Sequence, residues 1–410
     1  MGWGAAEGGV APETSAGAAG TATGGADTAP GGQGGATGCP VVLPAPIMVD
    51  PDGYVARLRV VDDPPGSEIG TFDPSLVSAT DGSLAMSYTS VDLARRKLHT
   101  RIAVSTDSGG SFVFAAIANL PEEGLLVEAP GDAGCPGGTC ADATLVHEVS
   151  GLVEDPADPE PSRRWKLFTH SYIVLAPAPE DPNTPRLRYQ YGQLRMGTAA
   201  TAAGPWSAPA PLIGWPSAWP SSLQAPQVTT ALGRLEECVA LTEPSGAFDP
   251  ETGALELAVG CVAPAGSQHG IRIELLRSLD HGATWSHAGT LLEAADAPCV
   301  GDEELQLNAA HLFASGGKRY LIASPAGPVS LPGDVTGSGY RGCLVFPRAG
   351  DGVERDALGA PIVVARIDAG EGVFAGACSH HPAGGYFLSA VTFASPPDLF
   401  RMFGPIGAAP

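Results

Sequence analysis

Basic residues are scarce in this chain of 410 residues: 22 lysines and arginines stand against 44 aspartates and glutamates, for a formal net charge of −22. Binding to nucleic acid or to an anionic membrane depends on clustered Lys and Arg, so neither partner is expected. Charged residues make up only 16% of the chain and aromatic residues 6%. A neutral ligand such as a sugar is compatible with this charge balance.

Long apolar runs are also missing. No segment approaches the ~20 apolar residues of a membrane span, so no transmembrane segment is expected. The start of the chain lacks a charged segment followed by an apolar core, so no signal peptide is visible. No cysteine or histidine pair has zinc-like spacing. We therefore expect no cofactor and no metal ligands, although a structural divalent cation remains compatible with the sequence.

Eight cysteines form an even set that lies in loop-like segments. This usage favours disulfides, and with them an extracellular or cell-surface location. Cys135 and Cys140 are close neighbours in the chain, and pairing of Cys238 with Cys261 and of Cys299 with Cys343 is plausible by position. Connectivity cannot be derived from spacing alone.

Turn-forming residues are abundant, with 55 glycines and 39 prolines. Residues 1–40 consist mainly of Gly, Ala and Thr, and we interpret them as a disordered tether before a folded domain at 41–410. From residue 41 onward, short apolar runs with period-two alternation are separated by turn signals, and no segment holds a helical period for three turns. These patterns predict an all-β protein.

An internal repeat of two strands with a short turn recurs five times, in residues 73–88, 143–170, 226–242, 307–323 and 373–391. Radial repetition of antiparallel sheets is the usual way to protect the edges of such strands. We predict a β-propeller of four-stranded antiparallel blades. Five blades are expected, and six are possible if residues 41–68 contribute more than a closing strand.

Two segments carry the pattern Ser-x-Asp-x-Gly-x-Ser/Thr-aromatic, at residues 105–112 and 278–285. Each lies between two predicted strands, where Asp would accept backbone hydrogen bonds and Gly would supply a positive φ. The pattern resembles the Asp-box, or BNR repeat, of sialidase-like propellers. The resemblance implies a propeller whose Asp-boxes lie on outer hairpins, away from the axis and from any chemistry.

The first inner strand separates two families within this resemblance. Sialidases begin an arginine triad there with Arg-Ile-Pro, whereas this chain has Asp73, Pro74 and Ser75. This sequence instead resembles the five-bladed furanosidase-type glycoside hydrolases that act on arabinans, xylosides or fructans. The resemblance implies that Asp73 is a general base or a nucleophile.

Glycosidases need a second carboxyl group across the scissile bond. In the resembling families this acid is a Glu at the third inner strand, closely followed by Pro, and we place Gln224 at that position. Because Gln cannot donate a catalytic proton, other carboxylates are candidates: Glu148 or Glu304 as the acid, and Asp142 as a residue that orients the sugar or raises the pKa of the acid.

Several polar and aromatic residues recur at the predicted inner strands or in the loops beside them. The candidates for substrate binding are His147, His311, His380, Gln224, Asn308 and Trp219. We predict a monomeric glycoside hydrolase-like propeller that acts on or binds a poly- or oligosaccharide in an axial pocket. The alternatives are a non-catalytic carbohydrate-binding or scaffold propeller and, less favoured, a true exo-sialidase.

Overall fold

The computed structural model describes residues 41–49, 57–92, 98–128, 135–175, 186–214, 225–262, 271–300, 306–331, 335–368, 374–391 and 400–407. The predicted tether at 1–40 lies outside these residues. Three short strands come first in the described chain: β1 (Ile47–Met48), β2 (Arg57–Leu58) and β3 (Val60–Val61).

Blades one and two follow in chain order. The first blade contains β4 (Gly70–Ser78), β5 (Leu84–Val91), β6 (Leu98–Ser105) and β7 (Phe112–Asn119), and the second contains β8 (Glu122–Glu128), β9 (Thr139–Glu154), β10 (Trp165–Leu175), β11 (Arg186–Ala199), β12 (Ala210–Gly214) and β13 (Gln227–Val228). Neighbouring strands pair antiparallel, except that β13 joins β12 in parallel.

Blades three to five complete the chain. The third blade contains β14 (Ala240–Asp249), β15 (Ala254–Val262), β16 (Ile271–Ser278) and β17 (Ser286–Leu292). The fourth blade contains β18 (Gln306–Ser315), β19 (Lys318–Leu331), β20 (Val335–Tyr340), β21 (Cys343–Ala349), β22 (Gly352–Val353) and β23 (Ala365–Asp368). The fifth blade contains β24 (Phe374–His380), β25 (Tyr386–Val391) and β26 (Phe400–Ile406). The described helical segments are short: 3-10 turns at Pro136–Gly138, Pro161–Arg163, Thr229–Ala231, Gly233–Glu237 and Ala294–Asp296, and α1 at Ala297–Val300. None of them is long and apolar enough to cross a membrane.

The inner strands β4, β9, β14, β18 and β24 form a closed ring. Each contacts the next, and β24 returns to contact β4. The fold is therefore a five-bladed β-propeller, as the sequence predicted. The described residues 41–49 and 57–68 do not form a sixth blade, because β1 pairs with β23, β2 with β26 and β3 with β7. We call this segment the edge strap, since it adds an outer strand to blades four, five and one.

The third repeat was wrongly placed by the sequence analysis. Gln227–Val228 is the outermost strand of blade two, and the inner strand of blade three is Ala240–Asp249. Two 3-10 turns, Thr229–Ala231 and Gly233–Glu237, separate the two strands. Gln224 therefore does not open the third inner strand.

Apolar side chains fill the space between adjacent blades. Between blades two and three, for example, the rings of Phe168 and Trp285 meet edge to face with centroids 5.6 Å apart. They belong to a cluster of buried residues that includes Leu194, Leu241 and Leu257. Burial on both faces is why the inner and middle strands are rich in apolar residues, and it fixes each blade against its neighbours.

The two Ser-x-Asp-x-Gly turns have the same internal hydrogen bonds. In the first, Asp107 Oδ1 accepts from the Ser105 hydroxyl at 2.7 Å and from the Ser111 N–H at 2.9 Å. In the second, Asp280 Oδ1 accepts from the Ser278 hydroxyl and the Thr284 N–H, both at 2.8 Å. The glycine of each turn has φ of 87°, a conformation that other residues rarely adopt.

Disulfides join Cys135 to Cys140, Cys238 to Cys261 and Cys343 to Cys378. The plausible pairing of Cys238 with Cys261 is confirmed. The pairing of Cys299 with Cys343 is wrong, because Cys343 on blade four bonds Cys378 on blade five, and Cys299 is disulfide-bonded elsewhere. The Cys343–Cys378 bond links two adjacent blades covalently.

A buried lysine connects the end of blade two to the second turn. The Lys166 ammonium lies 3.1 Å from Asp155 Oδ2 and 2.8 Å from Asp158 Oδ2, and all three side chains are almost fully buried. His281 Nδ1 lies 3.0 Å from the same Asp155 oxygen. Asp155, Asp158 and His281 have the spacing of cation ligands, but the lysine ammonium already contacts both carboxylates.

Candidate active site

All five inner strands are irregular at the same level of the ring. Each one breaks register with its neighbour and has, at this level, a non-glycine residue with positive φ: Asp73 (54°), Val149 (43°), Glu243 (50°), Ala309 (51°) and Ala377 (50°). Such bulges redirect side chains, and strained backbone of this kind is concentrated at functional sites. Asp73, Val149, Ala309 and Ala377 line one axial cavity, and so does Pro244, which directly follows Glu243.

Three carboxyl groups meet beside this cavity. Asp73 on β4 and Glu243 on β14 lie at the bulges themselves, and Glu148 on β9 directly precedes the bulge residue Val149. The charges of Glu243 and Glu148 both raise the pKa of Asp73, and the charge of Glu243 raises that of Glu148. Blades one, two and three thus each supply one member of an acidic cluster.

Glu243 is held by two hydrogen bonds. Its Oε2 accepts from the Ala309 N–H at 2.5 Å, and its Oε1 accepts from the Tyr340 hydroxyl. Burial raises the pKa of Glu243 to about 7, although both hydrogen bonds favour the carboxylate. Asn308 bonds the Tyr340 hydroxyl at 3.3 Å. A fixed carboxyl group with a pKa near neutrality is well suited to general acid–base chemistry.

Asp73 occupies a different environment. Its backbone N–H donates to the Ser389 hydroxyl at 2.6 Å, and its Oδ2 is buried with no hydrogen-bond partner among the described residues. Burial, together with the neighbouring carboxylates, raises the pKa of Asp73 well above its usual value. An unpaired buried carboxylate oxygen is costly, which leaves Asp73 ready to accept a proton or a ligand hydroxyl.

Glu148 completes the cluster. Burial raises its pKa to about 7, while a hydrogen bond with Tyr172 acts in the opposite direction. The axial cavity, which is lined by Asp73 and by the residues that follow Glu148 and Glu243, measures about 20 Å³, which is the space of about one water molecule. Ser75, Ser150, Ser245 and His311 are among its polar lining residues, and none of the described residues that line it is an arginine.

The predicted site residues have several different locations. Glu304, Gln224 and Trp219 lie outside the described residues. Asp142 is exposed on β9, six residues before Glu148. At about 3.3 Å per residue this is roughly 20 Å away, so Asp142 does not join the acidic cluster.

The predicted histidines are buried in different surroundings. His311 lines the cavity, and burial lowers its pKa to about 3. His380 stacks on Phe313 with ring centroids 4.2 Å apart. His147 precedes Glu148 in β9, so the two side chains lie on opposite faces of the strand. The Nδ1 atom of His147 lies 2.7 Å from the Ser171 hydroxyl oxygen. Asn308 contacts the site through Tyr340.

Sequence reasoning missed Glu243 and Tyr340. A signal for Glu243 was present, since Glu243 is followed by Pro244 within an apolar run, the arrangement that the resemblance implied for the acid. Tyr340 gave no comparable signal. It ends β20 in blade four and reaches Glu243 of blade three only through the packing of the two blades.

Raised pKa values in the cluster predict pH-dependent stability. Glu148 has a pKa of about 7 in the folded chain against 4.5 as its ordinary value, so the folded chain holds a proton that the unfolded chain releases between these values. Stability should therefore fall as pH rises through this window and remain lower above it. Glu148→Gln removes the cost of burying the charged carboxylate, and urea unfolding at pH 8 should show the variant about 3 kcal/mol more stable than the wild type.

At pH 4 the same variant and the wild type should unfold at similar urea concentrations. Glu251→Gln, a change at an exposed glutamate of the β14–β15 turn, serves as the matched control and should behave like the wild type at both pH values. A Glu148→Gln variant that gains nothing between pH 4 and pH 8 would contradict a raised pKa at this position.

No family model and no curated protein matches the chain. Among solved structures it is similar to a Hadza microbial sialidase (14% identity, TM-score 0.40), the GH32 beta-fructofuranosidase of Bombyx mori (14%, 0.42) and the exo-inulinase of Aspergillus awamori (10%, 0.49). The matches cover 79%, 82% and 85% of this chain. The chain spans 53%, 57% and 63% of the length of these three proteins.

Proposed function

We propose that this chain hydrolyses glycosidic bonds of a neutral oligo- or polysaccharide, with the axial carboxyl groups as its catalytic residues. The observation that carries the proposal is the convergence of Asp73, Glu148 and Glu243 on one axis. Glycoside hydrolysis needs two carboxyl groups on opposite sides of the scissile bond, one protonated and one ionised. Buried carboxyl groups with pKa values near 7 can supply the protonated member at neutral pH.

In this proposal Glu243 is the general acid and Asp73 is the base or nucleophile. The two residues belong to blades one and three, which are not adjacent in the ring, so a sugar above the cavity can lie between them. Glu148, on the blade between them, contributes its charge and can hold a sugar hydroxyl. The hydrogen bonds from Tyr340 and Ala309 orient Glu243.

A neutral substrate is favoured over sialic acid. Three carboxyl groups at one site repel an anionic sugar, and the described residues that line the axial cavity include no arginine that would hold a substrate carboxylate. The disulfides between described cysteines support an extracellular place of action. In this proposal the sialidase-like turn motifs stabilise hairpins of the blades and take no part in the chemistry.

A panel of aryl α- and β-glycosides, as pyranosides and furanosides, tests the proposal together with a glycan array. The wild type should release the aryl group from at least one member, and the triple variant Asp73→Asn, Glu148→Gln, Glu243→Gln should release none. Glycan binding by both proteins without turnover by either would favour a carbohydrate-binding propeller. The absence of both glycan binding and turnover would contradict both functions.

A further inference from the structure

Tyr340 makes contacts with two other blades. It ends β20 of blade four, its hydroxyl donates to Glu243 Oε1 in blade three, and its side chain lies against Gly376 in blade five. A Cβ at position 376 would lie 2.7 Å from Cγ of Tyr340, which is closer than side-chain atoms approach one another. Glycine at this position of β24 therefore makes room for the tyrosine, and blade five helps to fix where the hydroxyl points.

The residues that follow this tyrosine are fastened to the same strand of blade five. Arg341 forms a parallel β-bridge with Ala375, and the Gly342 N–H donates to the Ala375 carbonyl oxygen at 2.6 Å. The next residue in the chain, Cys343, is disulfide-bonded to Cys378. Consecutive residues at the start of β21 are thus joined to β24 by backbone contacts and by one covalent bond.

The disulfide also lies at the axial bulge of blade five. Cys378 lines the axial cavity beside the bulge residue Ala377. The Ser324 hydroxyl oxygen lies 3.3 Å from Cys343 Sγ and accepts the Ala377 N–H at 3.0 Å. Ser324 and both half-cystines are almost completely buried. One covalent bond therefore ties the bulge of blade five to the segment that begins with Tyr340.

The strand that carries Tyr340 has little other support. Among the described strands β20 pairs with β19 alone, and a two-stranded hairpin is marginally stable by itself. We propose that Cys343 and Cys378 are positioning residues of the axial site, because their disulfide fixes Tyr340 and Tyr340 in turn orients Glu243. The catalytic meaning of this role rests on the proposed function, whereas the position of Glu243 can be measured without a substrate.

The hydrogen bond from Tyr340 gives the direction of a pH effect. Burial raises the pKa of Tyr340 well above its ordinary value, so the hydroxyl keeps its proton and donates to Glu243. This bond favours the carboxylate and acts against the burial that raises the pKa of Glu243 to about 7. Without the bond the pKa of Glu243 rises further, so the alkaline fall in turnover of an oligosaccharide should move to higher pH.

Two variants disturb the proposed positioning in different ways. Cys343→Ser combined with Cys378→Ser removes the disulfide, whereas Gly376→Ala displaces the tyrosine and keeps the disulfide. Cys135→Ser combined with Cys140→Ser is the matched control, since it removes a disulfide of blade two. All proteins are compared at a temperature at which circular dichroism shows them folded.

Hydrogen exchange followed by mass spectrometry reports on the site without a substrate. The Ala309 N–H donates to Glu243 Oε2, and a hydrogen bond to a charged group is strong enough for its loss to speed exchange by about tenfold or more. Peptides that contain Ala309 should show this gain in both test variants and should exchange as in the wild type in the control. Tyr340→Phe removes the hydroxyl itself, and its alkaline fall in turnover should move in the same direction as that of the two test variants.

Wild-type exchange at Ala309 in either test variant would overturn the positioning role. Faster exchange throughout the chain would also overturn it, because the disulfide would then stabilise the fold as a whole. An alkaline fall that stays at the wild-type pH in the disulfide variant but moves in Tyr340→Phe would show that the disulfide does not act through the tyrosine. If the wild type turns over no glycoside, the proposed hydrolysis fails, and the exchange at Ala309 still decides the positioning.

Discussion

Glu243→Gln is expected to lower turnover of an unactivated oligosaccharide by about 10²–10⁴-fold, the usual contribution of a positioned general acid. Gln preserves the shape of the side chain but has no proton to give to the leaving oxygen. A dinitrophenyl glycoside needs no such proton, because its leaving group departs as a stable anion. The loss with that substrate should therefore be much smaller, and stopped assays with the two substrates measure the difference.

The pH profile supplies a second readout of the same variant. With its pKa raised to about 7 by burial, Glu243 loses its proton as pH rises through neutrality, so wild-type turnover of the oligosaccharide should fall above pH 7. When Glu243→Gln is measured with the dinitrophenyl substrate, its turnover should show no such fall above pH 7. Equal losses with both substrates would contradict the role of Glu243 as the acid.

Asp73→Asn is expected to differ from Glu243→Gln in one respect. A base or nucleophile is needed whatever the leaving group, so turnover of both substrates should fall by a similar factor, about 10³-fold or more. Asp142→Asn is the matched control, since Asp142 is an exposed carboxylate on β9 and should leave both rates unchanged. An Asp73→Asn variant that keeps wild-type rates would exclude Asp73 from the chemistry.

Lys166→Met is expected to lower the free energy of unfolding by about 3–5 kcal/mol, the usual loss when one partner of a buried ion pair is removed. Asp155 and Asp158 would then be buried without the ammonium that lies 3.1 and 2.8 Å from them. Urea unfolding measures the loss. Because the cluster connects blade two with the turn that carries His281, the contact between blades two and three should loosen first.

Two further variants identify the cause of that loss. Lys166→Met combined with Asp155→Asn and Asp158→Asn removes the unpaired charges and should recover part of the stability. Lys318→Met, at the exposed lysine that begins β19, should be nearly neutral. A single Lys166→Met variant that unfolds at the wild-type urea concentration would show that the buried ion pairs contribute nothing.

Strand alternation and repeats were sufficient to predict the propeller, to place Asp73 on an inner strand and to place Glu148 beside one. They failed at the third blade, because residues 226–230 have strand-like composition but only Gln227–Val228 are extended, at an outer edge. Local propensity cannot distinguish an outer strand from an inner one, since the difference lies in tertiary pairing. The true inner strand, which holds Glu243, begins at Ala240.

The direction of the axial carboxyl side chains could not be predicted from the sequence, for a different reason. A bulge inserts a residue and changes which face the following side chains occupy, and all five inner strands have one at the axis. The alternation of side chains between the two faces is therefore shifted at the axial bulges, so a period-two pattern does not predict which side chains point toward the axis. The contact between Glu243 and Tyr340 joins residues that are far apart in the chain, and no local pattern encodes it.

The edge strap has a consequence for how the chain assembles. Its strand β1 pairs with β23, β2 with β26 and β3 with β7. The strands β1 and β2 therefore cannot pair until β23 and β26 have left the ribosome. Contacts between distant segments form slowly. Closure of the ring should therefore be a late event in biosynthesis, and a nascent chain stalled before β26 would expose strand edges that attract chaperones.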